Sequence, residues 1–393
     1  MAPPLDGIRV LDLSRVLAGP WATMALGDLG AEIWKIENPA GGDETRSWTP
    51  PAFHGTATYY LAVNRNKSSV AVDFRTKDGQ TIVRELAQRA DILVENYLTG
   101  TLARYGLDYP ALAALNPRLI YCSLSGYGRT GALAERAGYD FVIQAESGLM
   151  SINGEVDGTP HKFGVAISDL LAGNAATQAI LAALYARERT GKGQMLDIAL
   201  HDASVAALIN VASASLNGGV NAKRYGNAHA SIVPYQTFDA ADAPFVLACA
   251  NNRQFRDLCE SVVARPELAT DERFATNAQR VANRETLIAI LAEDFAQRTC
   301  DDILAACAAV NIPAGRVRTV EEVLAAPEVA ERRMIYDTGG VRTTGSPMHF
   351  SATPVRTPSA PPALGEHSDA ILRNVLGYDE ARLRELRDAK VID

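Results

Sequence analysis

At 393 residues, 47% hydrophobic and 21% charged, the chain has the composition of a folded enzyme large enough for two domains, which excludes a disordered or fibrous protein. Its formal charge of −8 argues against a general nucleic-acid-binding surface. The start MAPPLDGIRV has no basic stretch followed by an apolar run, and no run of about eighteen apolar residues occurs, so a cytoplasmic chain without a membrane partner is expected.

In chain order, residues 8–14 (IRVLDLS) read as a strand, Gly19-Pro20 opens a helix to Leu29, and residues 32–37 (EIWKIE) read as the next strand. The alternation continues with strand 68–74, helix 77–90, strand 91–96, helices to Leu115 and strand 119–124. Strands alternating with helices predict a parallel, doubly wound, Rossmann-like sheet, and such sheets bind ligands beyond the carboxyl ends of their strands. That rule singles out the loops 15–19, 38–46, 96–97 and 125–127.

Residues 164–194 (GVAISDLLAGNAATQAILAALYARERTGKGQ) follow, with good helix formers from Leu171 to Arg189 and a stop at Gly191 and Gly193. Asp169 falls at the start of this helix. A carboxylate there either caps the helix, accepting from free N–H groups and held charged by the dipole, or serves as a nucleophile at the mouth of a cleft. Its neighbours do not decide between the two.

A strand at 195–200 and an Ala-rich helix at 201–216 complete a first domain, residues 1–216. The Gly- and Asn-rich stretch 217–232 reads as a linker. Residues 233–329, with the strand pair YQTF and FVLACA and helices at 252–263 and 300–310, read as a smaller α/β domain. Residues 330–393 return to the large domain, with a Pro-rich strap at 353–363 (TPVRTPSAPPA) suited to an extended path.

Several chemistries lack their residues. The six histidines, His54, His161, His201, His229, His349 and His367, form no ligand spacing, so no metal is expected. The five cysteines are scattered without a Cys-x-x-Cys pair and read as reduced and buried. There is no Gly-x-Ser-x-Gly elbow, no P-loop, and no Gly-x-Gly-x-x-Gly after the first strand to hold a nicotinamide or flavin.

What remains is an ordered set of phrases: SRVLAGP at 14–20, GDLGAEIWKIE, GGDETR, NRNK at 64–67, AVDF at 71–74, ADILVENY, NPRLIYCSLSGYG, AGYDFVIQAESGLMSING, RERTGKGQ, GNAHASIVPYQTF and LGYDEARL. In this order and over nearly the whole length, the chain resembles the type III CoA-transferase family, which also includes the α-methylacyl-CoA racemases. The resemblance implies an enzyme that takes coenzyme A and acyl-CoA as substrates with no tightly bound cofactor, and an interlocked homodimer. It further implies Asp169 as the nucleophile, which would form a mixed anhydride and then an aspartyl-CoA thioester. Arg15, Val16, Leu17, Val72, Arg75, Asn96, Tyr97, Arg104 and Tyr139 would bind CoA, assisted by Arg136. The phrases YYLAVNRNK, ENYLTG and NNRQF are most similar to members using succinyl-CoA and a glutarate-like acceptor, a small dicarboxylic acid. Its second carboxylate would need a cation, for which Arg46, Arg253, Arg224 and His229 are candidates.

The rival within the family is racemase-type proton transfer on an acyl-CoA. Racemases carry His where this chain has Tyr139, and a phenol of ordinary pKa near 10 is a poorer base at neutral pH than imidazole. Leu17 replaces the Gln of the formyl-CoA transferases, whose Gly-rich loop is also missing, so formyl or oxalate exchange is not expected.

Overall fold

The computed structural model describes residues 1–393. The chain divides into two compact units, the first built from Met1–Met150, Lys162–Val220 and Pro327–Asp393, the second from Ser151–His161 and Asn221–Ala326.

The first unit is organised by a six-stranded sheet: β1 (Arg9–Asp12), β2 (Glu32–Glu37), β3 (Lys67–Ala71), β4 (Ile92–Glu95), β5 (Ile120–Ser125) and β6 (Met195–Ala199). The strands lie in the order β3-β2-β1-β4-β5-β6 and every pairing is parallel. This is the doubly wound order, with its switch point between β1 and β4. Alternation along each strand feeds two cores. Leu11, Trp34, Leu93 and Tyr121 join Ile82 and Leu86 of α2 (Lys77–Arg89) and residues of the C-terminal helices Ser368–Leu376 and Glu380–Asp388. Val10, Ile33, Val94 and Cys122 join Ala22 and Leu26 of α1 (Ala18–Asp28) and Ala172, Ala176 and Ile180 of α5 (Ile167–Thr190) on the opposite face. Between these helices lie α3 (Tyr109–Leu115) and α4 (Asp140–Glu146), and α6 (Leu200–Ala206) follows β6.

Among the helices, α5 alone is long and apolar enough to cross a membrane by length and composition, and part of it is buried against α1 and the sheet. Glycine sets its limits: Gly191 takes φ 69° as the C-cap, and at Gly173 a Cβ would stand 2.7 Å from the carbonyl oxygen of Ala18. The close approach of α5 to α1 thus depends on Gly173.

The Pro-rich strap forms no helix or strand and runs along the first unit, with the Arg356 N–H donating to Asp28 O (2.7 Å) and the Ser359 N–H to Asn66 Oδ1 (2.8 Å). The expected helix at 201–216 breaks in two, because the chain turns at residues 207–208 before a second helix, Ile209–Gly218, that buries no residue.

The second unit holds an antiparallel sheet of Tyr235–Asp239, Pro244–Ala248 and Ala314–Arg316 over a core rich in Phe238, Phe245, Phe255 and Phe295. The expected helix at 252–263 begins as α-helix (Asn252–Asp257) and ends as a π-turn (Leu258–Val262). Ser151–His161, read from sequence with the first domain, belongs to this unit, where Arg224 donates to the carbonyls of Glu155 (2.9 Å) and Gly158 (2.6 Å). Residues 217–220 and 327–329 lie in the first unit, so the transitions fall slightly later at the first boundary and slightly earlier at the second than the composition indicated.

Candidate active site

The loop after β1 crosses the switch point, and the buried groups beneath it fix its shape. Asn96, past the end of β4, accepts from the Arg15 N–H (2.9 Å) and donates from Nδ2 to the Arg15 carbonyl (2.6 Å). Two fully buried lysines hold the ends of the loop. Lys35 Nζ donates to Ser14 O (2.9 Å) and Asp43 (2.9 Å), while Lys67 Nζ donates to Pro20 O (3.0 Å) and Asp12 (3.1 Å). Burial brings the Lys67 ammonium down to about 8 against the pull of Asp12. Val16 is pressed into the left-handed region at φ 69°, a strained position for a β-branched residue, with its N–H directed to both Asp43 oxygens at 3.3 Å.

Three adjoining cavities open along this loop. The outer one, about 330 Å³, is lined by Arg15, Val72, Arg75 and Tyr97 among others. The middle one, also about 330 Å³, shares Arg15 and Tyr97 and adds Val16, Leu17, Asn96, Arg136, Tyr139 and Asp169. The third, about 620 Å³, shares Val16, Leu17, Tyr139 and Asp169 and is walled by Trp21, Trp48, Tyr59, Val63 and Val165. Asp169 therefore stands where a polar, cation-bearing channel meets an apolar chamber.

The two arms differ in chemistry. Along the polar arm the Arg15 guanidinium lies 4.4 Å over the Tyr97 ring and donates to Glu44 (2.8 Å), while its buried Nε has no partner. The Thr99 hydroxyl in the middle cavity is buried and unpartnered too. Unspent donors beside the aromatic rings of Phe74, Tyr97 and Tyr105 suit a long ligand with phosphates, amides and a heterocycle. Arg75 pairs with Asp73 (2.7 Å) and Arg136 with Glu146 (2.7 Å), both at the surface. Arg104 lines none of the three cavities. It is exposed on the short turn Leu102–Tyr105, whose Tyr105 does line the outer one.

Asp169 departs from the expectation that its helix start keeps it charged. The cap of α5 comes from elsewhere: Asp140 Oδ1 accepts the Ser168 N–H at 2.8 Å. Asp169 itself is pushed up to about 7 by burial first and then by the nearby Asp140 charge, against a weaker opposing pull from the backbone N–H of Ala18 in the first turn of α1. Tyr59, in the apolar arm, is pushed up to about 12 by burial and by Asp169, Asp140 and Asp43.

The acceptor-clamp candidates lie in different surroundings. Arg46 is spent inside the fold, where Nε and Nη2 grip Glu37 (2.8 and 2.7 Å), Nη2 also reaches Tyr60 and Pro362 O, and the guanidinium lies 3.8 Å over the Tyr60 ring. Arg224 is spent on carbonyls, as above. His229 and Arg253 belong to the second unit. There His229 Nδ1 accepts the Ser231 N–H (3.1 Å), and the Arg253 side chain, 89% exposed, has Asp257 at 3.8 Å. Sequence reasoning missed Trp48, Tyr59 and Lys162 in the apolar arm, since Trp48 and Lys162 sit in no phrase with chemistry of its own and Tyr59, which opens YYLAVNRNK, carries only a resemblance. It also missed the N–H of Ala18, which the Gly19-Pro20 helix start signals.

The comparisons agree with one another. A family model described as "CoA-transferase family III" matches residues 5–368. The chain is 43% identical to a mouse protein named succinyl-CoA:glutarate CoA-transferase, covering 99% of this chain and 90% of that one. It is 44% identical to the succinate–glutarate CoA-transferase of Agrobacterium fabrum, over 94% of this chain and 95% of that one. A crystal structure of a CAIB/BAIF family protein from Brucella suis superposes with a TM-score of 0.87 at 46% identity, covering 95% of this chain and 100% of the other. By the extent of these matches and by the fold that carries the site, the chain belongs to CoA-transferase family III.

Proposed function

We propose that the protein moves CoA from an acyl-CoA donor, succinyl-CoA, to a short glutarate-like dicarboxylate, with Asp169 as the covalent nucleophile. One Asp169 oxygen attacks the thioester carbonyl carbon, and the C–S bond breaks to release CoA thiolate and leave an acyl-aspartyl anhydride. The thiolate then attacks the aspartyl carbonyl, giving an aspartyl-CoA thioester and free succinate. The acceptor carboxylate attacks that thioester, and the returning thiolate takes the acceptor acyl group, restoring Asp169. Electrons and charge balance without a cofactor or metal.

The observation that carries this reading is the place of Asp169 at the meeting of the two arms. The polar arm supplies the phosphate- and amide-binding groups Arg15 and Asn96, with Arg75, Arg104 and Arg136 at its rim, and Val72, Tyr97 and Tyr139 as its aromatic and aliphatic walls. The apolar arm takes the acyl chain. Proximity supplies much of the rate, since a carboxylate fixed within ~3–3.5 Å of a thioester carbon reacts as if at very high concentration. At the N-terminus of α1 the Ala18 N–H is directed at the Asp169 carboxylate and favours its charged form. An interlocked homodimer in the cytoplasm is part of the same reading. The exposed apolar helix Ile209–Gly218, with Leu216 84% exposed, supports a second copy of the chain.

The test is incubation with succinyl-CoA followed by hydroxylamine or borohydride trapping and peptide mass spectrometry. Modification at Asp169, absent from Asp169→Asn, is expected; a label on another residue overturns the assignment.

A further inference from the structure

We infer that Lys162 receives the carboxylate of the acyl group that takes no part in the reaction, and so sets the preference for dicarboxylates. The inference rests on the dicarboxylate reading above. The apolar arm is lined by three charged side chains, Asp140, Asp169 and Lys162, of which Lys162 is the one cation. Its ammonium has a single partner, the carbonyl of Phe163 at 3.1 Å, leaving donors unspent. The main chain beside it is pinned by the Phe163 N–H, which donates to the buried Gln144 Oε1 at 2.9 Å. A largely uncommitted cation is thus carried at the chamber wall by a pinned main chain, with its stem free to move.

An acyl chain attached at Asp169 fills this chamber from one end. If the chain is a simple alkyl group, Trp21, Trp48, Val63 and Val165 satisfy it. If it ends in a second carboxylate, that charge meets an apolar wall already holding two acids, where it is disfavoured without a cation beside it. The other cations of the first unit that approach the site are committed or face elsewhere. Arg46 is held by Glu37, and Arg15 and Arg136 line the polar arm. A lysine is also suited to acids of more than one length, because its ammonium is a point charge on a flexible stem. Recognition of both a succinyl donor and a glutaryl product by one group follows from that flexibility.

The experiment compares wild type, Lys162→Met and Lys162→Arg, with succinyl-CoA as donor and glutarate or pentanoate as acceptor. Because Lys162 is exposed, all three chains fold alike, which an unchanged melting temperature checks. Lys162→Met is expected to raise KM for glutarate about tenfold or more while leaving KM for pentanoate within about twofold, and Lys162→Arg to recover most of the loss. If wild type prefers glutarate and Lys162→Met keeps that preference, Lys162 is not the receiver. If wild type uses pentanoate as readily as glutarate, the dicarboxylate reading falls and takes this inference with it.

Discussion

Asp140 Oδ1 accepts the Ser168 N–H at 2.8 Å, so the helix that carries Asp169 is capped by a residue from a different helix. The carboxylate of Asp169, one position further on, is thereby released from capping its own helix. The cost of the arrangement is a second acid close by. Asp169 must lose its proton beside a neighbour that stays hydrogen-bonded to Ser168 and to Gln144 Nε2 (2.7 Å).

A pH dependence follows. In the proposed mechanism the attacking species is the carboxylate, and Asp169 is pushed up to about 7, so kcat/KM for acyl-CoA is expected to fall as pH drops below about 7. Asp140→Asn keeps an acceptor for the Ser168 N–H and removes the repelling charge. Its acid limb is expected at lower pH than that of wild type, with some loss of melting temperature because the new NH2 faces the Gln144 Nε2 donor, whereas Asp140→Ala also loses about 1 kcal/mol of capping. An acid limb that stays in place in Asp140→Asn would show that burial alone raises Asp169.

The same shift makes Asp169 a liability for folding. Its folded value, about 7, lies above the ordinary 3.8, so between these values the native state binds more protons than the unfolded chain. Stability is therefore lost as pH rises from about 4 to 7, and the loss persists above 7. Replacing the acid by Asn removes a penalty of up to about 4 kcal/mol at pH 8, less whatever solvent reaching the side chain recovers. Asp169→Asn is expected to abolish turnover yet melt several degrees higher than wild type at pH 8, with the difference shrinking toward pH 4. Equal melting curves at both pH values would contradict the strained carboxylate.

The strand and helix pattern of the large domain was legible in the sequence because β1 to β6 are short apolar runs punctuated by Gly, Pro and Asn, and their parallel pairing followed from the alternation with helices, whereas the strand order came from the structure. The polar arm was legible as well, since its residues occupy the loops at the carboxyl ends of those strands. What sequence could not show was which charges neutralise one another. Arg46 and Asp140 have the composition of site residues, but Glu37 consumes the first and the Ser168 N–H engages the second, both at separations that only the fold creates. The apolar arm was hidden for the opposite reason: Trp48, Tyr59 and Lys162 come from separate segments with no shared spacing.

Asn96 offers a test of the switch point. Its side chain bridges β4 to the loop after β1 by two hydrogen bonds to the backbone of Arg15. Asn96→Ala leaves that N–H and carbonyl without partners, a loss on the order of 1–3 kcal/mol for each group that stays out of water. Because Arg15 lines both the outer and the middle cavities, the expected kinetic result is a rise of about tenfold or more in KM for acyl-CoA, with the KM for the acceptor changed much less. A variant with lowered stability but unchanged acyl-CoA KM would mean that the loop keeps its shape without this bridge.

Arg46 separates a structural cation from a ligand-binding one. The Glu37 side chain that it grips is 1% exposed and also accepts from Ser69 Oγ (2.6 Å) and the Asp43 N–H (2.9 Å). Burial alone would push the Glu37 carboxyl up, but Arg46, Lys35 and Ser69 together hold it below its ordinary value. Its folded pKa is thus depressed, and its contribution is present above the ordinary value of 4.5 and lost as pH falls through the folded one. Arg46→Ala strands this carboxylate, at a cost of about 3–5 kcal/mol near pH 7, toward the lower figure because the Ser69 and Asp43 bonds remain. The deficit should narrow toward pH 4, where Glu37 in the variant can take up a proton instead. Thermal melts across that range check the stability, and acceptor assays on the surviving folded fraction check the role. The ratio of glutarate to pentanoate turnover is expected to stay at the wild-type value. A collapse of that ratio in a variant that melts like wild type would instead place the Arg46 guanidinium against the substrate.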